Sequence, residues 1–317
     1  MSKPFLCLSG FAVALGIREM IRDDPSSDVC AQMDALEKDG FRYYRRVEGS
    51  ILDLAAHSAM LTLRAVGDQR TGAVVYTSDT FVSGSPSKEL RSILMGAGVE
   101  AIDGTVVGGR ECDNLWVAVV TAEARLRSGM DDGAGVLLVT ADKVTRGTRF
   151  NQDSRSVMSD GAASCFLSWH ATGPAVAVRA AASLSVSPPA GATPLLRARH
   201  HVSALRELSS TVFEAAGMDA EECTTIITSN VGLSVAYMLR SAVGLPDVPL
   251  YRPGAIDVGH CFAADGIHSL GLLLEEPSTS VGDTVLVAAT SPYSCSLLLL
   301  EVVSTGDLGI PRLNASE

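Results

Sequence analysis

Residues 104–112 read GTVVGGREC, and residues 113–129 continue as DNLWVAVVTAEARLRSG. Small and β-branched residues in the first stretch predict a short strand and a tight turn, and apolar residues on one face of the second predict a helix. Cys112 therefore stands between the end of a strand and the N-terminus of a helix. The free N–H groups and the dipole of a helix at that end stabilise a thiolate, so Cys112 is a candidate nucleophile.

Two observations weigh against a nucleophile at this position. Glu111 and Asp113 flank Cys112, and their negative charges raise the pKa of the thiol if they lie close to it. A free cysteine is also most often a small, buried apolar residue. The local sequence leaves both interpretations open.

The composition of the chain narrows the class of protein. Its 317 residues, of which 47% are hydrophobic, suffice for a large core and about two domain-sized units. A net charge of −11 argues against a nucleic-acid partner, whose phosphates require a basic surface. No apolar run is long enough to span a bilayer, and residues 5–15 predict a buried strand better than a signal peptide. Seven cysteines without CxxC pairs predict free thiols, so we expect a soluble cytoplasmic protein.

Predicted strands and helices alternate along the chain, which favours an α/β protein with buried sheets. Further strands are predicted at 73–77, 105–107, 135–140, 162–169, 175–185, 224–228, 284–289 and 297–303, and helices at 51–65, 87–95, 113–127, 202–216, 234–242 and 265–274. Each half contains a strand that leads into a helix, followed by a pair of late strands. We therefore predict an internal duplication, with residues 1–172 as the first unit and residues 173–317 as the second.

In this order the segments resemble the thiolase superfamily, and within it the ketoacyl-ACP synthase III branch. The resemblance is carried by GFRYYRRVEGSILDLAAHSAMLTL (40–63), AVVYTSDT (73–80), GGRECDNLWVAVVTAEARLRSG (108–129), GVLLVTADKV (135–144), SDGAASCFLS (159–168), IDVGHCFAAD (256–265) and VGDTVLVAAT (281–290). It implies a thiolase-like fold, with two pseudo-symmetric halves in a five-layered α-β-α-β-α arrangement.

The resemblance also implies an active site, from which this chain departs. In the family a Cys-His-Asn set takes an acyl group from a thioester and stabilises the enolate formed by malonyl decarboxylation. Cys112 matches the nucleophile, but Ser229 stands at the position of the histidine and His260 at that of the asparagine. Loss of one such stabilising group typically costs about 3 kcal/mol. Plain decarboxylative condensation is therefore disfavoured.

The predicted roles follow from these positions. Cys112 is the nucleophile, and His260 is its ion-pair partner and the base toward the acceptor, unless loop carbonyls satisfy His260 instead. Ser229 and Asn230 are substrate-binding candidates, although a cap on the following helix explains them equally well. Ser294 is a third candidate, in the segment SPYSCS (291–296) that replaces the glycine-rich loop of the family. Cys261 and Cys295 are interpreted as packing residues.

The resemblance implies acyl-CoA or an acyl carrier protein as the acyl donor, with no permanently bound cofactor and no metal. An arginine-rich turn at 42–46 matches the family's coenzyme A contact, and 197–201 predicts an exposed basic loop that touches a carrier or cofactor phosphate. In the family the edge strand, which corresponds to the strand near Thr105, pairs across a two-fold axis, so the resemblance implies a homodimer, or a heterodimer with a homologue.

Two functions agree with the sequence. The first is an acyltransferase or condensing enzyme of specialised metabolism, which loads Cys112 and passes the acyl group to a small-molecule acceptor with His260 as base. The second is a catalytically degenerate thiolase-fold subunit that partners an active homologue. The missing histidine, the altered loop at 291–296 and the acidic neighbours of Cys112 favour the second; the presence of both Cys112 and His260 favours the first.

Overall fold

The computed structural model describes residues 5–24, 26–129, 133–145, 148–187, 189 and 191–308. The strands within them are β1 (Cys7–Leu15), β2 (Ile17–Met20), β3 (Tyr43–Arg46), β4 (Thr71–Ser78), β5 (Asp103–Gly108), β6 (Gly135–Asp142), β7 (Phe150–Asn151), β8 (Ser156–Val157), β9 (Gly161–Ser168), β10 (Ala175–Ser185), β11 (Thr225–Thr228), β12 (Leu250–Tyr251), β13 (Thr284–Ser291) and β14 (Ser294–Ser304). The helices are α1 (Ser27–Ala31), α2 (Met33–Lys38), α3 (Ile51–Val66), α4 (Pro86–Gly96), α5 (Asn114–Arg127), α6 (Pro194–Ala216), α7 (Leu233–Ala242), α8 (Gly254–Asp257) and α9 (Ala264–Glu275).

Ten of these strands form a continuous mixed sheet in the order β12-β11-β13-β14-β10-β1-β9-β6-β4-β5. The first half of the chain supplies β1-β9-β6-β4-β5, and the second half supplies β10-β14-β13-β11-β12. When the five strands of each half are counted in chain order, both halves show the same order, 1-5-4-2-3. The halves meet where β1 pairs antiparallel with β10. The predicted internal duplication is therefore present in the topology.

The five strands of each half form one layer of the protein. Helices cover the outer face of each of these two layers and fill the space between them, which gives five layers in all. Helices α3 and α4 pack on the outer face of the first half's strands, and α6 and α7 pack on the outer face of the second half's strands. The central layer is α5 and α9, whose buried side chains belong to one cluster with strands of both halves. These burial patterns confirm the predicted thiolase-like α-β-α-β-α arrangement, because a helix that is covered on two sides must be apolar on both.

Two local predictions need correction. Residues 197–201 were expected to form a loop but lie in α6, which begins at Pro194, where the Thr193 side chain caps it by accepting a hydrogen bond from Leu196 N. The expected turn at 42–46 is largely β3, which pairs antiparallel with β2. Proline is favourable in the first turn of a helix, which is where Pro194 stands.

The proposed division at 172/173 falls between β9 and β10. Within the described residues no helix is both long and apolar enough to cross a membrane.

Candidate active site

Cys112 lies on a sharp turn between β5 and α5. A single 3-10 turn, Glu111–Asp113, follows the strand, and α5 begins at Asn114. Glu111 has a φ of 49°, a left-handed conformation that is costly for a side chain other than glycine and is typical of functional turns. The turn packs against β13 of the second half. The predicted strand–turn–helix setting of Cys112 is therefore observed, with the thiol buried.

His260 reaches the same point from the second half of the chain. Its backbone N–H donates to Val157 O at 2.8 Å, and its carbonyl accepts from Ser159 N at 2.8 Å. The preceding residue, Gly259, has a φ of 74°, and a Cβ there would lie 2.8 Å from Val157 O. Only glycine fits this approach without strain. First-half residues thereby fix the loop that carries His260.

Cys112, His260 and Asp265 form a buried hydrogen-bonded chain. Cys112 Sγ lies 2.9 Å from His260 Nε2, and His260 Nδ1 lies 2.5 Å from Asp265 Oδ2. His260 and Asp265 are each 1% exposed. Because the Asp265 carboxylate accepts a hydrogen bond from Nδ1–H, Nε2 is the nitrogen that faces the sulfur and is free to take or to return a proton.

Asp265 is held by donors on both of its oxygens. Oδ2 also accepts from Asn230 N at 2.8 Å, while Oδ1 accepts from Cys261 N at 2.8 Å and from Asn230 Nδ2 at 3.1 Å. Asn230 Nδ2 additionally donates to Gly259 O at 2.8 Å. Asn230 therefore supports the carboxylate that orients His260, and its predicted substrate contact stays a prediction.

The charges of Cys112, His260 and Asp265 depend on one another. Burial raises the pKa of the Cys112 thiol, and His260 opposes this rise. Burial by itself lowers the pKa of His260, but the negative charges of Cys112 and Asp265 outweigh it and hold that pKa well above its ordinary value. A protonated His260 is therefore the main side chain that stabilises the thiolate.

The acidic neighbours of Cys112 behave differently from each other. Asp113 is fully buried and paired with Arg110, whose Nη2 lies 2.9 Å from Asp113 Oδ2. Glu111 is partly buried; burial raises the pKa of its carboxyl, and Asp79 raises it further. The charge of Glu111 adds to the rise in the pKa of Cys112, as the sequence predicted.

The remaining sequence candidates lie outside this chain of hydrogen bonds. Ser229 is half-buried at the end of β11, and within the described residues its side chain makes no hydrogen bond. Ser294 Oγ bonds to Ser291 Oγ at 2.8 Å and closes the β13–β14 hairpin. Their substrate contacts stay predictions. Cys261 and Cys295 are buried in core clusters.

Of the arginines at 42–46, Arg45 is buried. Its Nε donates to Asp257 O at 3.0 Å, so this guanidinium contributes to packing.

Asp265 is the residue that sequence reasoning missed. It stands five positions after His260 and was interpreted as the first residue of a helix. Such a carboxylate usually stabilises the N-terminus of a helix, and nothing in the spacing indicates that the loop turns back to the imidazole. The signal that identifies Asp265 is a buried acid close to the candidate base.

Solved structures share this fold over nearly the whole chain. ChlB3, described as an acyltransferase, has a TM-score of 0.80 and 16% identity, over 96% of this chain and 99% of that one. The 3-oxoacyl-acyl-carrier-protein synthase III from Aquifex aeolicus VF5 has a TM-score of 0.73 and 17% identity, over 93% and 99%. AbyA1, a tetronic acid condensing enzyme, has a TM-score of 0.74 and 14% identity, over 93% and 99%. No family model and no curated protein matches the chain in sequence.

The chain has the thiolase fold in the form taken by ketoacyl-ACP synthase III enzymes, which confirms the resemblance seen in the sequence. Because one fold serves many reactions, the function has to be inferred from the site itself.

Proposed function

We propose that this protein is an acyltransferase in which Cys112 takes an acyl group from a thioester and His260, oriented by Asp265, passes it to a small-molecule acceptor. The observation that carries the proposal is the position of His260 Nε2, 2.9 Å from Cys112 Sγ, with Nδ1 on a buried carboxylate. A nucleophile, a base and a group that orients the base are the set required for covalent acyl transfer.

Acylation uses the charged form of the pair. The Cys112 thiolate attacks the thioester carbonyl carbon, and the N-terminus of α5 favours the negative charge that develops at this turn. The carbon–sulfur bond to the donor breaks, and the donor thiolate leaves with the proton of His260. Cys112 is then a neutral thioester and His260 is a neutral imidazole.

This change prepares His260 for the second step. The charge of Cys112 contributes to the raised pKa of His260, so loss of that charge lowers the pKa. A neutral His260 then takes the proton from an acceptor as its oxygen, nitrogen or carbon bonds to the acyl carbon. Cys112 leaves as the thiolate, and His260 is protonated beside it again.

The Cys-His-Asp chain is buried and intact, and four hydrogen bonds hold the carboxylate behind His260. This support of the base favours the acyltransferase over the degenerate subunit. The tetronic acid condensing enzyme AbyA1 shares the fold, which supports a role in specialised metabolism.

Cys112 is expected to become acylated when the protein is incubated with a panel of short acyl-CoA and acyl-carrier thioesters. Intact mass should rise by the mass of the acyl group, and peptide mapping should locate it on Cys112. Cys112→Ser is the control and should stay unlabelled by thioesters. Label on Cys261 or Cys295 with Cys112 bare would exclude Cys112 as the nucleophile, and no label from any thioester would favour the degenerate subunit.

For the donor we infer an acyl carrier protein that docks on the first turns of α6. Residues 195–206 include Arg197, Arg199 and Arg206 and no acidic residue, on a chain of net charge −11. Arg199 and Arg206 are exposed and have no ion pair among the described residues. His201 Nε2 lies 2.8 Å from the carbonyl oxygen of Ser291, the last residue of β13. This basic face therefore adjoins the strand on which the Cys112 turn packs.

Reversal of Arg199 and Arg206 to glutamate should raise the KM for an acidic acyl-carrier donor about tenfold, since charges at an interface steer association. The KM for the same acyl group on CoA should change little. Lys88→Glu with Arg91→Glu, on the exposed face of α4, is the control with the same change in net charge. Equal effects of the two double variants on both donors would exclude α6 as the docking surface.

The predicted dimer belongs to this proposal as well. Strand β5 forms one edge of the sheet, and its outer edge is the place where a second copy or a homologue would pair.

A further inference from the structure

Glu111, the residue immediately before the nucleophile, has a strained backbone. Its φ of 49° lies in the left-handed region, which is unfavourable for a residue other than glycine. Gly109, at φ 80°, is the other left-handed residue of this turn, and there the sequence has glycine. Strain of this kind is concentrated at functional sites. A glutamate at such a position therefore indicates that its carboxylate has a role at the turn.

The carboxylate of Glu111 is not neutralised by a neighbour. It makes no hydrogen bond and no ion pair with the part of the chain that the structure describes. Arg110 is the basic residue of the same turn, but it is paired with Asp113, whose Oδ2 lies 2.9 Å from Arg110 Nη2. Because Glu111 is half-buried, bulk water screens its charge less than that of a surface residue.

This charge acts on the reacting groups. Burial is the main cause of the raised pKa of the Cys112 thiol, and the charge of Glu111 adds to the rise. Burial and Asp79 raise the pKa of the Glu111 carboxyl, and His260 opposes them. Asp79 follows β4 and lies against the same turn: burial raises the pKa of its carboxyl, and the backbone N–H of Glu111 opposes that rise. Glu111 therefore places a negative charge beside the nucleophile and the base, and Asp79 strengthens it.

A carboxylate that approaches Cys112 is repelled by this charge. In the resting enzyme the thiolate and the protonated His260 balance each other. Once Cys112 is acylated and His260 is neutral, no positive charge of the catalytic chain offsets the repulsion. Two like charges a few ångström apart in a half-buried site change a rate by about tenfold or more, because the effective dielectric constant there is well below that of water. An uncharged group of the same size is not repelled.

We propose that Glu111 is a specificity-determining residue that excludes carboxylate-bearing molecules from the space in front of Cys112, both as acyl groups and as acceptors. The proposal rests on the proposed acyltransferase function. The acyl group is then one without a carboxylate, and the acceptor is neutral or cationic. In the family that the sequence resembles, the acceptor is a malonyl group, so this chain differs from it in the acceptor as well as in the base.

The first test does not depend on the proposed function. Wild-type protein and Glu111→Gln are alkylated with neutral iodoacetamide or anionic iodoacetate at about pH 8, where a carboxyl with a moderately raised pKa is ionised. Peptide mapping follows Cys112 separately from the other cysteines. Both reagents lose iodide to the same thiolate, so the ratio of their rates does not depend on the thiolate fraction. Glu111→Gln should shift this ratio about tenfold toward iodoacetate, since protonated His260 then attracts the anion.

Two controls separate the charge of Glu111 from other effects. Glu111→Asp keeps the carboxylate, and aspartate tolerates a left-handed backbone, so the wild-type ratio should be kept. Asp68→Asn removes the same charge from an exposed residue before β4, at the opposite end of that strand from Asp79, and should leave the ratio unchanged. Thermal unfolding should show that all three variants are folded.

The second test uses the acyl enzyme. Intact mass follows loading of Cys112 by butanoyl-CoA and by succinyl-CoA, whose acyl chains have equal length. Glu111→Gln should raise succinyl loading about tenfold relative to butanoyl loading. Release of the butanoyl group by mercaptoacetate should likewise become about tenfold faster relative to release by neutral 2-mercaptoethanol. In that step the thiol sulfur bonds to the acyl carbon, its proton goes to His260, and Cys112 leaves as the thiolate.

The two tests fail in different ways. If no thioester loads Cys112, the proposed acyltransferase function fails, and the alkylation ratio alone decides the role of Glu111. An alkylation ratio that Glu111→Gln leaves unchanged, that Asp68→Asn shifts equally, or that Glu111→Asp shifts as much as Glu111→Gln would overturn the proposal. Equal loading of succinyl and butanoyl groups by the wild type would overturn it too, as would a Cys112 that neither reagent alkylates.

Discussion

Replacement of His260 by alanine is expected to slow transfer from acylated Cys112 to the acceptor by about a hundredfold to ten-thousandfold, the range for loss of a general base. His260 Nε2 is the nitrogen that faces Cys112 Sγ, at 2.9 Å, and an alanine leaves the acceptor proton without a receiver. The measurement is single-turnover transfer from pre-acylated enzyme, which separates this step from loading. Loading should be less affected, since the N-terminus of α5 favours some thiolate by itself.

Ser229→Ala is the matched control for this experiment. The sequence resemblance predicts Ser229 at the position of the family's histidine, but a serine cannot act as a base unaided, and its side chain makes no hydrogen bond within the described part of the chain. Its removal should cost little. Equal transfer rates for the wild type and His260→Ala would leave the protein with a nucleophile and no base, and would exclude the proposed second step.

Much of the fold was predictable because buried helices and strands carry apolar residues at a characteristic spacing. Strand β10 was predicted with its observed bounds, and α3 and α5 to within one residue, since long apolar elements have clear ends. The short helices α1 and α2 and the antiparallel pair of strands β2 and β3 were not predicted. Each of these helices and strands has six residues or fewer, which is too few for a helical or alternating period to appear.

The site was predictable in part for a related reason. A cysteine between a strand and a helix has a local signature, and His260 was found through the family's loop. The contact of Cys112 with His260 spans 148 positions and depends on how the two halves pack. A loop with two left-handed residues, Gly259 at φ 74° and Phe262 at φ 51°, turns the carboxylate of Asp265 back toward the imidazole. Asp265 was missed because such a turn leaves no periodic pattern in the sequence.

Asp265→Asn should reduce the transfer rate by about a thousandfold to ten-thousandfold, as expected when an orienting aspartate is lost and the imidazole adopts the other tautomer. Both oxygens of Asp265 accept two hydrogen bonds, from His260, Asn230 and Cys261. An asparagine turns one acceptor into a donor that faces two other donors, whichever way its amide lies. The protein should therefore also unfold more easily, because buried unsatisfied groups cost about 1–3 kcal/mol each.

A pH profile of single-turnover transfer distinguishes this role from a loss of stability. The negative charge of Asp265 raises the pKa of His260, and only neutral His260 acts as a base. When that charge is removed, the pKa falls, so the neutral form persists to lower pH and the acidic limb of the profile shifts to lower pH while the maximum rate drops. Asp113→Asn, at an equally buried carboxylate that pairs with Arg110, should destabilise the fold and leave the limb in place. A limb that stays in place in Asp265→Asn would show that Asp265 supports the loop but does not set the charge of His260.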